Sequence, residues 1–290
     1  MDVVTWGQSP WGQDMLIHIS WTLLYVAAVA GVAFMVAHTL WVRLWPKAAG
    51  TSASVPVPAP VVARIPERVQ RHSLAARLFH WIMAAAMLTL LVTAFLPIVG
   101  VQFGWVTIHW VAGLVLTISV LYHIIHATFW LDFWSIWLNT DDVAESWTRL
   151  RRAFGATVAA PRKAGKYPTD NKLYHTALIV AGFAVIGTGL FMMSRIRTPL
   201  LPRNPYLFSD QTWGLLYVLH GLAGVGLVTL TLAHIYFAVR PEKFWITKSM
   251  LFGWITRRQY LEHHDPQRWV VAQPGPSAPA DGQKERKVAV

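Results

Sequence analysis

WVTIHWVAGLVLTISVLYHIIHATFWL, residues 105–131, is an apolar run interrupted at membrane depth by His109, His123 and His126. As a helix it crosses a hydrocarbon core of about 30 Å, for which roughly 20 residues suffice. Four further stretches meet the same criterion, at about residues 15–42, 77–98, 172–194 and 212–239. The chain therefore reads as an all-α integral membrane protein with five spans. Its composition agrees: 54% hydrophobic residues, 13% charged residues and a mean hydropathy of +0.40 do not suit a soluble globule.

The formal net charge of +11 raises the question of a polyanionic partner. The placement of the basic residues answers it. Six Lys or Arg lie from Arg43 to Arg77, seven from Arg149 to Lys172 and nine after the fifth span, which accounts for 22 of the 25. The opposite side carries only Arg195, Arg197 and Arg203. This asymmetry puts the N-terminus outside and the C-terminus in the cytoplasm, and anionic membrane lipid accounts for the basic face without nucleic acid. The expected location is the bacterial inner membrane, as a multi-pass protein.

Four segments follow from these patterns. Residues 1–45 read as an N-terminal transmembrane anchor, since Met1 to Asp14 lacks the basic start and small-residue cleavage site of a signal peptide. Residues 46–70 read as a Pro/Ala-rich extended linker that detaches this anchor from the rest. Residues 71–270 form the main domain, and residues 271–290 read as a disordered tail. Within the main domain, FWITKSMLFGWITRRQY, residues 244–260, mixes aromatic, aliphatic and basic residues as an interfacial amphipathic helix does.

The chemistry lies in the histidines, because an ionisable side chain inside a span is costly and tends to be functional. The third span carries His109-Trp-Val-Ala-Gly113 and then His123; the fifth carries His220-Gly-Leu-Ala-Gly224 and then His234. Fourteen residues place the two histidines of each span about 40° apart around the helix and about 21 Å apart along it. Both spans run inward from the outer side. His109 and His220 thus share an outer depth, while His123 and His234 share an inner one. Facing neutral imidazoles suit the two axial positions of a haem iron that transfers electrons. With no cysteine among the 290 residues, thiolate-held clusters and covalently attached c-type haem are excluded, and two noncovalent b-type haems are the expected cofactors. Gly113 and Gly224 would let a flat porphyrin lie against the backbone, or serve helix packing alone. His80, in Arg77-Leu-Phe-His80-Trp81, stands at the same inner depth as His123. Either can complete the inner site, and the repeated spacing favours His123.

At these positions the chain resembles the cytochrome b (gamma) subunit of membrane-bound respiratory formate dehydrogenase. The resemblance runs from about Arg71 to Trp269. It is carried by Arg77 to Trp81, the His109 segment, Gly165-Lys-Tyr167, the His220 and His234 pair, and Glu262-His-His-Asp-Pro-Gln-Arg-Trp269. It implies a four-helix dihaem cytochrome b bundle, here with one extra N-terminal transmembrane helix. It also implies iron ligation by His80 with His234 and by His109 with His220, leaving His123 as the alternative. Pro168, Asp170, Asp265 and Gln267 depart from the family's motifs, and the first span has no counterpart in its four-helix form.

The function implied is electron transfer from an iron-sulfur subunit, itself joined to a catalytic molybdo- or tungstoenzyme subunit, across the membrane to quinone. The chain alone would oxidise no substrate. Asn171, Lys172 and His175, at the start of the fourth span, are the expected quinone-binding residues, because they bring hydrogen-bonding and proton-exchanging groups near the inner haem. A cytochrome b subunit of a hydrogenase, thiosulfate reductase or other molybdoenzyme is the alternative. A transporter with a histidine proton relay is the distant one, and it predicts no haem.

Overall fold

A computed structural model of the chain describes residues 2–44, 57–159 and 162–271. Five helices are long and apolar enough to cross a membrane: α1 (Thr22–Leu44), α3 (Leu74–Phe95), α4 (Trp105–Trp130), α6 (Thr169–Met192, continued to Arg195 by a 3-10 turn) and α7 (Asp210–Val239). Only 6–17% of an 18-residue apolar stretch of each is buried, so their outward faces are apolar yet uncovered by protein, as lipid contact requires. Among the described residues the remaining elements are β1 (Val4–Gln8), β2 (Asp14–Ile19), α2 (Ala59–Arg64), β3 (Arg68–Gln70), a 3-10 turn (Phe133–Ile136), α5 (Thr140–Ala153), α8 (Phe244–Phe252), β4 (Trp254–Thr256) and α9 (Arg257–His263).

Local chemistry sets the helix starts. The Ser73 side chain accepts from the Ala76 amide, and Ser209 accepts from the Thr212 amide, opening α3 and α7. Asn139 and Asp142 form a reciprocal capping box on α5. The spans then pack as two antiparallel pairs, α3 on α4 and α6 on α7, which meet through α4 and α6.

The N-terminal segment departs from expectation. Residues 14–19 are not the beginning of a span but a strand, paired antiparallel with β1, and the helix starts only at Thr22. The residues are apolar enough for a span, but their partner is the outer half of α7, along which β2 lies. Close approach is possible because α7 has glycines there. A Cβ on Gly214 would run into the Leu16 carbonyl, and one on Gly221 would lie 3.1 Å from the Ile19 side chain, which is buried. Nor is α1 detached. It packs along α7, with Gly31 against Leu232, and near its inner end Tyr236 lies 3.0 Å from His38 Nδ1 and 2.8 Å from Thr39 Oγ1. The Arg240 guanidinium adds a 2.8 Å bond to His38 Nδ1.

The linker expected at residues 46–70 falls partly outside the described residues, as does the tail from residue 272. Residues 59–70 are folded rather than extended: Ile65 and Val69 join Ile255 and Tyr260 in a small core at the inner end of the bundle. The helix expected at residues 244–260 is broken at Gly253, whose φ of +90° favours glycine and whose carbonyl accepts from the Arg71 and His72 amides. After the break, β4 pairs with β3. A single amphipathic helix is thereby replaced by a folded cap.

Candidate functional site

At the outer depth, His109 on α4 faces His220 on α7 with ring centroids 6.2 Å apart. With iron–nitrogen bonds of roughly 2 Å and a ring centre about 1 Å behind each nitrogen, two imidazoles clamping one iron have centroids roughly 6 Å apart. The spacing fits. Threonines not identified from the sequence fix the rings. Thr93 Oγ1 on α3 lies 2.8 Å from His109 Nδ1, and Thr188 Oγ1 on α6 lies 2.9 Å from His220 Nδ1. Each hydroxyl has one proton and gives it to a backbone carbonyl one turn back, Thr89 at 2.7 Å and Ala184 at 2.5 Å. The threonine oxygens therefore accept from Nδ1–H, which leaves Nε2 of both rings bare, the form in which imidazole binds a metal. Gly189, beside Thr188, keeps space for the His220 ring, since a Cβ there would lie 3.3 Å from its Cε1. At Gly113 and Gly224 a Cβ would make only ordinary contacts, at 3.9 and 3.7 Å.

At the inner depth, His80 on α3 faces His234 on α7, also at 6.2 Å between centroids. Tyr174, from the start of α6, stacks on His234 at 5.2 Å. His123 does not share this arrangement. Its ring stacks on Phe79 at 4.3 Å with an interplanar angle of 6° and meets His175 of α6 at 6.4 Å. The reason lies in the antiparallel packing of α3 on α4: Phe79, next to His80, covers His123, so the repeated spacing along α4 and α7 does not make an inner pair of His123 and His234.

The three residues expected at the start of α6 have different surroundings. Lys172 Nζ donates to Asp142 Oδ2 at 2.8 Å, with both side chains almost fully buried, and Thr169 donates to the same carboxylate at 3.1 Å. Burial pushes the Asp142 carboxyl up, but the bonds from Lys172, the Asn139 amide and Thr169 outweigh it and hold the group below its ordinary value. The Lys172 ammonium is thus already engaged. Asn171 is half-buried at the surface of the same turn. His175 has a buried Nδ1 with no partner among the described residues, and the neighbouring Trp137 indole N–H, 6.3 Å away between ring centroids, is likewise unpartnered.

The inner end is closed by a buried cation. Arg71 donates to His264 Nε2 at 2.9 Å and to the Lys166 carbonyl at 3.3 Å, and lies against the Trp245 and Trp269 rings. His264 in turn donates from Nδ1 to the Gly165 carbonyl at 2.6 Å. Asp265 accepts from Arg162 at 2.7 Å, so the His-His-Asp tail is part of this cap.

Comparison with known proteins bears on this geometry. The family model for prokaryotic cytochrome b561 matches residues 71–253, more than half of the chain, and no curated protein matches it. The matched segment contains both facing histidine pairs and ends at the Gly253 break. The β1–β2 hairpin and α1 lie outside it.

Proposed function

The chain belongs to the prokaryotic cytochrome b561 family, multi-pass bacterial membrane proteins that bind b-type haem and transfer electrons, and from that premise we propose that it is a dihaem subunit carrying electrons across the membrane to quinone. The observation that carries the proposal is the pair of facing imidazoles at each of two depths, His109 with His220 and His80 with His234, both at 6.2 Å. Bound haem supplies a one-electron redox centre at each depth. The protein holds the rings, excludes water from them with four apolar helices, and fixes the distance between the sites through α7.

The donor is an iron-sulfur subunit on the outer side, attached to a formate-oxidising molybdo- or tungstoenzyme subunit. Support for this comes from the likeness of Arg77–Trp81, Gly165–Tyr167 and Glu262–Trp269 to the gamma subunit of formate dehydrogenase. Quinone is reduced at the inner side beside Asn171 and His175, with Lys172 holding the start of α6 through Asp142.

Single alanine variants test the ligand set. Haem content per chain should be two in the wild type and one in each of the His80, His109, His220 and His234 variants, with His123→Ala retaining both. A colourless wild-type protein would end the proposal, and loss of a haem from His123→Ala but not from His80→Ala would replace one ligand with the other. Copurification followed by a formate oxidation assay tests the donor separately.

A further inference from the structure

Next to the inner pair stands a second cluster that ligation does not use. His123 on α4, His175 on α6 and Trp137, in the loop after α4, meet edge to face, with ring centroids 6.4 and 6.3 Å apart along the chain His123–His175–Trp137. The two imidazoles do not bond each other. With a ring centre about 1 Å behind each nitrogen, they are too far apart for a direct bond of about 2.7–3.2 Å, and near enough for one oxygen atom to be held by both. Two polar atoms here, His175 Nδ1 and Trp137 Nε1, are buried and unpartnered among the described residues. Buried groups of this kind are rare in a folded protein and call for an occupant that hydrogen-bonds to them. An indole N–H only donates, so the occupant must offer an acceptor.

The cluster also adjoins the inner pair on both sides. His123 stacks on Phe79, the neighbour of His80, and His175 follows Tyr174, whose ring stacks on His234. An acceptor held here is beside the place where electrons leave. One turn toward the inner end of α6 lies the buried Lys172–Asp142 pair, hydrogen-bonded to Thr169. The titratable groups around the cluster are His126, one turn along α4, with Lys172 and Tyr174 on α6 and Asp142 on α5; α3 presents the Phe79 ring.

We propose that His123 and His175 grip one carbonyl oxygen of the quinone head group, with the Trp137 N–H as a further donor, and that this pair delivers a proton to that oxygen. The proposal rests on the quinone reading above and assigns its proton donor. The stoichiometry is closed: reduction of quinone to quinol takes two electrons, which bound haem would supply as the one-electron reductant, and two protons. One proton leaves an imidazole of the pair for the gripped oxygen and is replaced from the inner aqueous side. The other carbonyl oxygen takes its proton from water on that side.

The test uses the full-length haem-loaded chain, reduced with dithionite and then mixed with ubiquinone-1 while haem reoxidation is followed. His123→Phe and His175→Phe should keep both haems and the wild-type reduced spectrum, and should reoxidise at least about tenfold more slowly. His175→Gln, which still hydrogen-bonds but carries no transferable proton, should keep the quinone concentration dependence while the limiting rate falls and its pH dependence changes. Wild-type rates and pH dependence in all three variants would overturn this assignment and leave the quinone reading standing. Loss of a haem from either phenylalanine variant would also overturn it, by making that histidine an iron ligand. Failure of ubiquinone-1 to reoxidise the wild type would overturn the quinone reading, and this inference with it.

Discussion

Thr188 and His220 are joined at 2.9 Å between Oγ1 and Nδ1, and Thr93 and His109 repeat the relationship at 2.8 Å on the neighbouring helix pair. Each threonine orients an imidazole that it does not itself replace. Thr93→Val and Thr188→Val preserve shape and remove the acceptor, so the outer haem should bind on the order of 10–100-fold more weakly while the inner one is unaffected. Haem titration of the stripped protein measures this, and Thr→Ser at either position should restore binding.

The Lys172–Asp142 pair is almost fully buried, so removing one partner strands the other charge. Lys172→Met should destabilise the chain by about 3 kcal/mol or more. Combining it with Asp142→Asn removes the stranded charge, leaves an acceptor for the Asn139 amide and Thr169, and should recover most of the loss. Thermal unfolding in detergent, followed by haem release, separates the two cases.

Burial, reinforced by the neighbouring Arg71 charge, pushes His264 down to about 3, so the folded cap keeps its ring neutral. An unfolded histidine titrates near 6.5, so the cap is indifferent to pH above that value and loses stability below it. The loss from this ring should be about 1 kcal/mol per pH unit between about pH 6.5 and 3, and His72, pushed down to about 3 by burial in the same cap, adds to it. Hydrogen exchange of residues 254–269 at pH 7 and pH 5 should show the cap opening in acid, and His264→Gln should reduce that dependence, with His72 and His263 supplying the remainder.

Gly214 lies where a side chain would meet the Leu16 backbone carbonyl. Gly214→Val should therefore lift β2 from α7 and make residues 4–19 cleavable by protease, while the inner haem is retained. Limited proteolysis with haem quantification checks both statements.

The spans were legible because lipid imposes one rule along their whole length, and the bounds of α3, α4, α6 and α7 agree with hydropathy to within a few residues. Hydropathy starts the first span at residue 15 instead of Thr22 because Met15–Ile19 is apolar for a different reason, contact between a strand and α7, which hydropathy does not distinguish from contact with lipid. The facing of His109 with His220 followed from spacing. That of His80 with His234 did not, because it depends on how α3 lies against α4, and Phe79 reveals this only in three dimensions. Thr93 and Thr188 carry no signal in the sequence, since a threonine in a helix ordinarily bonds its own backbone, as these also do. The fate of Lys172 was hidden for a similar reason: Asp142 is thirty positions away and joins it only through the fold of the inner loop.

α7 is clasped along its back by the beginning of its own chain, β2 over its outer half and α1 over its inner half. A helix held at both ends cannot turn to improve one imidazole without spoiling the other, so His220 and His234 behave as two marks on a ruler about 21 Å apart. Residues 2–44, which lie outside the segment shared with the family, thus bear on the site by seating α7: they set where, and at what turn, its two imidazoles face α3 and α4.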